Sequence, residues 1–374
     1  MSDIQMAKME SVSKTLREEA VRTDAEGAWP ERSMRAIADA GLLGLTIPQE
    51  FGGGGSGMRE FVDATRQLAS ACASTAMIYL MHTCGTQVII ALPEKDALKR
   101  IASGQAVATL AFSEKASRSH FWMPVSKAKQ NGVGIELDAD KSFVTSAGYA
   151  DLYVVSSGAV GGATPMDSTL YLVERNTPGV SASEKWSGLG LRGNSSAPMK
   201  FKCKVDPAMR LTAEGGGLNG MLQVTLPWFQ VGSAAVSLGI ADAALSSTVQ
   251  HVTSAKFEHL DQTLASGVPG IRARLARMRL ALDSASAYLD QTVGKIEKQT
   301  PDAMLAVLGS KAVAAEAAVT ITDEAMRACG GAAFARHLSV ERNFRDARAA
   351  SIMAPTTDIL YDFIGKAMAG LPLF

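Results

Sequence analysis

Only four cysteines occur in the 374 residues, Cys72, Cys84, Cys203 and Cys329, with no CxxC pair and no histidine at metal-ligand spacing. A zinc site or other metal centre is therefore not expected, and the thiols read either as buried side chains in a reducing compartment or as redox groups. Positive and negative charge cancel, with 37 Lys plus Arg and 37 Asp plus Glu, and no basic block is long enough to follow a phosphate backbone. Nucleic acid is excluded as a partner on that pattern. No unbroken apolar run of 18 residues occurs, and the opening MSDIQMAKMESVSKTLREE has acids where a signal peptide is basic and then apolar. The expectation is a cytoplasmic chain with no membrane contact. No repeat of 20 to 50 residues is present either.

What is present is an ordinary globular composition, 47% hydrophobic, on a chain long enough for two or three domains and a large core. Residues 1–105 carry helical spacing, as in PERSMRAIADAGLLG, which opens at Pro30 and meets Gly41 at its end. The stretch TIPQEFGGGGSG reads as a flexible connection. Its Gly52, Gly54 and Gly57 satisfy GxGxxG in form, but no β-α-β alternation surrounds them, which argues against a nicotinamide site.

From 106 to 212 the pattern changes to short β-rich runs, VATLAF, GIELDA, SFVTSA, LYVVSS, STLYLV and PMKFKCKV, predicting a small barrel or sandwich. Residues 213–374 return to long Ala- and Leu-rich helices over about 218–252, 268–298, 301–329 and 338–370, with Pro227 expected to kink the first; four such helices suit a bundle. The fold class is thus α+β, in the order helices, β domain, helices.

Ordered words in the chain carry a resemblance. AGLLGLTIPQEFGG, LAFSEKASRSH, DADKSFVTSAGYADLYVV and CGGAAFARHLSVERNFRDAR stand in sequence, and together they resemble the acyl-CoA dehydrogenase superfamily over nearly the whole length. The resemblance implies that family's fold, a homotetramer and a flavin, FAD with FMN as the alternative. By position it implies Phe112 and Ser113 at the pyrimidine side of the flavin ring, Ser119 at the phosphate or ribityl region, and Phe143 with Thr145 over the ring and N5. An isoalloxazine needs an apolar wall plus hydroxyl and backbone groups, which strand ends supply rigidly. The adenosine side implies Lys256, Phe257, Arg327, Gly330 and Gly331, with Thr356 and Asp358 beyond. There the family's Arg-x-x-Phe-Gly reads Ser254-Ala255-Lys256-Phe257-Glu258, which removes a bidentate pyrophosphate partner.

The stretch VERNFRDARAASIMAPTTDIL is a charged helical run that stops at Ala354-Pro355 and restarts through Thr356 and Asp358. In the dehydrogenases this turn carries a Glu that removes the substrate α-proton; here it is Ala354. A second base position used by some members falls near Phe229 and Gln230, and no Asp or Glu occurs between Gly215 and Ala241. A positioned base contributes about 10² to 10⁴ in rate. The leading expectation is therefore the superfamily's two-component branch, a reduced-flavin monooxygenase that hydroxylates a small heteroaromatic such as an indole through a C4a-hydroperoxyflavin. Such an enzyme takes O₂ and a separate flavin reductase as partners. The alternative is an acyl-CoA or acyl-carrier dehydrogenase with a relocated base.

His82 is then the candidate acid/base, against a core histidine bonded to a backbone carbonyl. His120 contacts flavin or caps a loop, and Ser146 reaches peroxide or substrate. Met81, Trp122, Trp228, Phe229 and Ala354 line the pocket, although a plain hydrophobic core explains most of these apolar side chains equally well.

Overall fold

Five helices precede the first strand in the computed structural model, which describes residues 3–91, 95–118, 120–164 and 166–373. They are α1 (Asp3–Glu26), α2 (Glu31–Asp39), α3 (Met58–Ala71), α4 (Ala73–Ile89) and α5 (Asp96–Ala102). Pro30 precedes α2, where its missing N–H has no intrahelical partner to lose, and Gly41 follows in the left-handed region at φ 77°. The glycine-rich stretch is not the flexible connection its composition predicts. The amides of Gly54, Gly55 and Ser56 donate to the carbonyls of Gly44, Ile47 and Leu45 at 2.9, 2.8 and 3.0 Å. A Cβ on Gly53 would collide with the Ile47 carbonyl. Glycine is required because two backbone segments touch.

Seven strands follow: β1 (Ala108–Ala111), β2 (Lys127–Asn131), β3 (Gly134–Val144), β4 (Leu152–Gly158), β5 (Ser168–Glu174), β6 (Val180–Ala182) and β7 (Ala197–Val205). They form one sheet in the order β1-β4-β2-β3-β7-β6, with β5 also paired to β4. Alternation sets the inner face. Ile135, Leu137 and Ala139 of β3 and Met199, Phe201 and Cys203 of β7 enter a core shared with Tyr153 and Tyr171. The runs GIELDA and SFVTSA belong to a single register that shifts between Lys141 and Val144, a bulge that bends β3 at its end. β2 and β6 were not visible as strands because they lack a hydrophobic pattern. Ala128 is the one buried residue of β2, and β6 has none.

After β7 come α6 (Gly217–Gly220), a π turn over Met221–Thr225 and α7 (Leu226–Ser254). Pro227 has no N–H to offer residue 223, so the ladder widens just before it. A small hairpin of β8 (Lys256–Phe257) and β9 (Gln262–Thr263) leads through α8 (Leu264–Gly267) to α9 (Pro269–Glu297) and α10 (Ala303–Cys329). Then follow α11 (Gly331–Phe334), α12 (Val340–Ile352) and α13 (Thr357–Met368). α10 packs against α9, α12 and α13. On α9 the buried positions Met278, Leu282, Ala285 and Leu289 recur at helical spacing and make one apolar stripe.

Although no unbroken apolar run exists, two stretches, Gly217–Ser254 and Ala303–Cys329, are long and apolar enough to cross a membrane by length and composition. Their most apolar windows are 78% and 61% buried within the protein, as expected of core helices. The chain forms two compact units, one of Met1–Phe61, Met77–Gly188 and Arg192–Phe229, the other of Val62–Ala76, Leu189–Leu191 and Gln230–Phe374. Composition divides the chain in three, whereas these units divide it within α3, α4 and α7.

Candidate functional site

In the first unit the bulge of β3 produces an unusual aromatic. Phe143 has φ 56° and its side chain is 65% exposed, edge-on to Trp186 at 6.3 Å between ring centroids. A phenyl ring held in the left-handed region and turned to solvent is a cost that the fold itself does not recover. Two residues on, Thr145 is buried. Its hydroxyl is 3.0 Å from that of Ser196, and its carbonyl accepts from the Thr109 hydroxyl at 2.9 Å. Phe112, buried, and Ser113, half-buried, follow the end of β1, and the Ser113 carbonyl accepts the Ser142 amide at 2.8 Å. This hydrogen bond ties the two segments. Ser119 lies outside the described residues.

Below them lies a buried ion pair. Lys141 continues the inward series of β3, and its Nζ donates to Glu114 Oε1 at 2.5 Å and to the Ser156 hydroxyl at 3.1 Å. The other Glu114 oxygen accepts the amides of Val125 and Ser126 at 2.6 and 3.0 Å. Burial pulls the Lys141 amine down to about 8, with the Glu114 charge opposing. For Glu114 burial pushes upward, but the Lys141 charge and these hydrogen bonds prevail and hold the carboxyl below its usual range. The pair fixes the segment that follows Phe112 and Ser113. Sequence reading missed it, although a lysine at an inward strand position was the signal.

His82 is the core histidine, not the acid/base candidate. It is fully buried, its Nε2 lies 2.9 Å from the Leu43 carbonyl, and its Nδ1 accepts the Ala108 amide at 3.0 Å. Both nitrogens are used within the protein. Burial lowers its pKa to about 4, only partly offset by the Leu43 bond, so the ring is neutral at physiological pH. Ser146 is likewise engaged: its hydroxyl accepts Trp29 Nε1 at 3.0 Å, and Trp29 stacks on Tyr149 at 5.1 Å. Both ring nitrogens of His82 are thus committed within the protein, and the Ser146 hydroxyl accepts one bond. His120 is exposed and stacks on buried Trp122 at 5.0 Å, while Phe121 meets Trp122 edge-on. Met81 is half-buried on α4. Trp228 packs on Phe61 at 5.3 Å, and Phe229 next to it is half-buried.

The second unit holds the remaining candidates on separate elements. Lys256 and Phe257 sit on β8, the lysine 3.4 Å from Asp261 and the ring edge-on to His259. Arg327 bonds Asp323 on its own helix at 2.7 Å, so neither cation waits unpaired for a pyrophosphate. Gly330, at φ 54°, and Gly331 mark the junction of α10 and α11. Thr356 caps α13 by accepting the Ile359 amide at 3.4 Å, and Asp358 is exposed in the first turn. Half-buried Ala354 forms a cis bond to Pro355. What touches this turn is Lys311, buried on α10, which donates to the carbonyls of Met353 and Pro355 at 2.8 and 2.7 Å. The four thiols are all buried and free, and no group of three metal-ligating side chains occurs among the described residues.

These features fit the ring of a flavin better than its adenosine tail. An exposed aromatic on a rigid bulge beside a buried hydroxyl pair offers the wall and the polar edge that an isoalloxazine requires.

Comparison with known proteins gives three family matches in sequence order. The acyl-CoA dehydrogenase N-terminal domain matches residues 3–105, the middle domain 109–203 and the C-terminal domain 215–369. The human mitochondrial short-chain specific acyl-CoA dehydrogenase is 28% identical over 351 residues, covering 91% of this chain and 83% of that protein. The cyclohex-1-ene-1-carbonyl-CoA dehydrogenase of Geobacter metallireducens is 27% identical over 355 residues, covering 93% and 92%. Butyryl-CoA dehydrogenase from Megasphaera elsdenii shares the fold, with a TM-score of 0.90 at 22% identity over 99% of each chain.

Proposed function

Since the chain belongs to the acyl-CoA dehydrogenase family, whose three domains it matches in order, we propose that it is an FAD-dependent dehydrogenase of an acyl thioester. The observation that carries this reading is Phe143, presented to solvent from a bulge beside the buried Thr145 and Ser196 hydroxyls. Bound flavin would supply a two-electron acceptor for the substrate's β-hydride. Phe143 would form a wall for its ring, and Thr145 would offer the hydroxyl at the polar edge. Phe112 and Ser113 approach from the segment that the Lys141–Glu114 pair holds in place.

The turn at Ala354 offers no carboxylate to accept an α-proton, and none occurs from Gly215 to Ala241. This favours substrates whose α-hydrogen is more acidic than that of a plain fatty acyl chain, because a weaker acceptor then suffices.

The same Ala354 favours a second reading, a reduced-flavin monooxygenase supplied by a separate reductase, whose reaction does not begin with that proton. Anaerobic titration of the flavin-loaded protein with a panel of acyl-CoAs separates the two. Bleaching of the flavin by a thioester without a reductase supports the dehydrogenase. No bleaching, with an oxygen-dependent absorbance transient after chemical reduction, supports the oxygenase and ends the dehydrogenase reading.

A further inference from the structure

We propose that Trp29 is a positioning residue for the flavin ring, acting through the Ser146 hydroxyl to hold the turn that carries Phe143 and Thr145; this rests on the flavin site proposed above. The indole Nε1 donates to Ser146 Oγ at 3.0 Å, across 117 positions of sequence, and the ring lies parallel to that of Tyr149 at 5.1 Å. Phe143 and Ser146 stand on either side of Thr145 with φ of 56° and 59°. Residues with a Cβ enter that region at a cost, and two of them within four positions persist only where their surroundings over-determine them.

The surroundings that do so reach back to the N-terminal helices. The Ser146 amide donates to the Asn194 carbonyl at 2.9 Å, the Ala147 amide donates to the Ser195 carbonyl at 3.0 Å, and the Thr145 and Ser196 hydroxyls lie 3.0 Å apart. Segments 143–147 and 194–196 are therefore tied together, and the chain that leaves α1 clamps both. Arg192 Nε donates to the Asp24 carbonyl at 2.7 Å, and a Cβ on Gly193 would stand 2.9 Å from the Ala28 carbonyl. Trp29 closes the clamp on the Ser146 side. Its ring is only half-buried and lines a cavity of about 710 Å³ together with Thr15, Met34 and Arg35. Phenylalanine would stack on Tyr149 equally well but has no donor. What the indole adds is one hydrogen bond, made to the residue next to Thr145.

The test uses FAD-loaded protein as wild type, Trp29→Phe, Ser146→Ala and the double variant. FAD release on dilution is followed by flavin fluorescence, the surroundings of the ring by visible circular dichroism of the bound flavin, and stability by melting of the full chain without flavin. Each single variant is expected to bind FAD about tenfold more weakly and to change the visible dichroism, with a melting temperature within about 5 °C of wild type. The double variant should bind no more weakly than either single one, because both substitutions remove the same bond. Unchanged affinity and dichroism in either single variant overturn the proposal, and additive losses overturn the action through Ser146. A fall of more than about 5 °C in Ser146→Ala assigns the bond to general stability and overturns the proposal as well. Should Trp29→Phe melt that low or fail to fold, Ser146→Ala, which leaves the indole in place, decides alone. A wild type that binds no FAD ends the flavin reading itself and this inference with it.

Discussion

Lys311 Nζ lies 2.7 Å from the carbonyl oxygen of Pro355, in a fully buried position with no ion-pair partner among the described residues. A second carbonyl, that of Met353, completes its contacts at 2.8 Å. A neutral amine has two N–H groups for two acceptors, so the contacts survive deprotonation. Burial lowers the pKa of Lys311 to about 7.

The sign of the resulting pH dependence follows from linkage. Between pH 7 and the ordinary lysine range, the unfolded chain holds a proton on this residue that the folded chain has released, so this residue makes stability rise with pH across that window. Below pH 7 both states are protonated and the cost of burying the charge is present in full. Thermal denaturation from pH 6.5 to 10 should show a positive slope in wild type that is reduced in Lys311→Met. An equal slope in both proteins would assign the dependence elsewhere, with Lys141 the next group to examine.

The Lys141–Glu114 pair predicts strong coupling. Removing one partner leaves a buried, uncompensated group, so Glu114→Gln and Lys141→Met should each cost about 3 to 5 kcal/mol in urea unfolding. The double variant should recover a large part of that loss. Because the folded-state pKa of Glu114 is depressed, its contribution is present above the unfolded carboxylate value and disappears as pH falls through the folded one. Additive single losses would show that the two side chains do not interact energetically.

His82 should matter for folding and not for proton transfer. With a pKa lowered to about 4, it contributes stability above about pH 6.5, and that contribution is lost as pH falls from 6.5 toward 4, where the unfolded chain binds the proton first. Substitution to Leu strands the Leu43 carbonyl and the Ala108 amide, at roughly 1 to 3 kcal/mol each. Denaturation should report this loss. A pH–rate profile that loses one limb in a folded His82 variant would contradict the assignment.

Much of the fold was legible because its cues are local. Gly41 ends α2, the alternation in PMKFKCKV reads as β7, and the apolar spacing of the long helices reads as a bundle. β2 and β6 were not, since Lys127–Asn131 and Val180–Ala182 pair through their backbones and bury almost nothing. Phe112, Phe143 and Thr145 stood out in the sequence because they sit by strand ends in ordered motifs. The partners of His82 could not. Leu43 and Ala108 are 39 and 26 residues away and contribute backbone atoms that no side-chain pattern encodes. The Lys311 clamp was hidden for the same reason, since its acceptors are two carbonyls on either side of an alanine.

Ala354 gives the most direct test of what this chain retains of its family's chemistry. The position is half-buried in the turn between α12 and α13, bracketed by the two carbonyls that Lys311 holds. Ala354→Glu would place an acid at this half-buried position of the turn. If the substrate is a thioester presented to this turn, the new base should raise the rate of anaerobic flavin reduction by butyryl-CoA by about 10² or more, measured by stopped-flow absorbance. The increase should follow ionisation of the new carboxylate and vanish in Ala354→Gln. An Ala354→Glu protein that folds, keeps flavin, binds butyryl-CoA and still reduces no faster would mean that the thioester is not presented to this turn, and that the proton acceptor of the native reaction lies elsewhere.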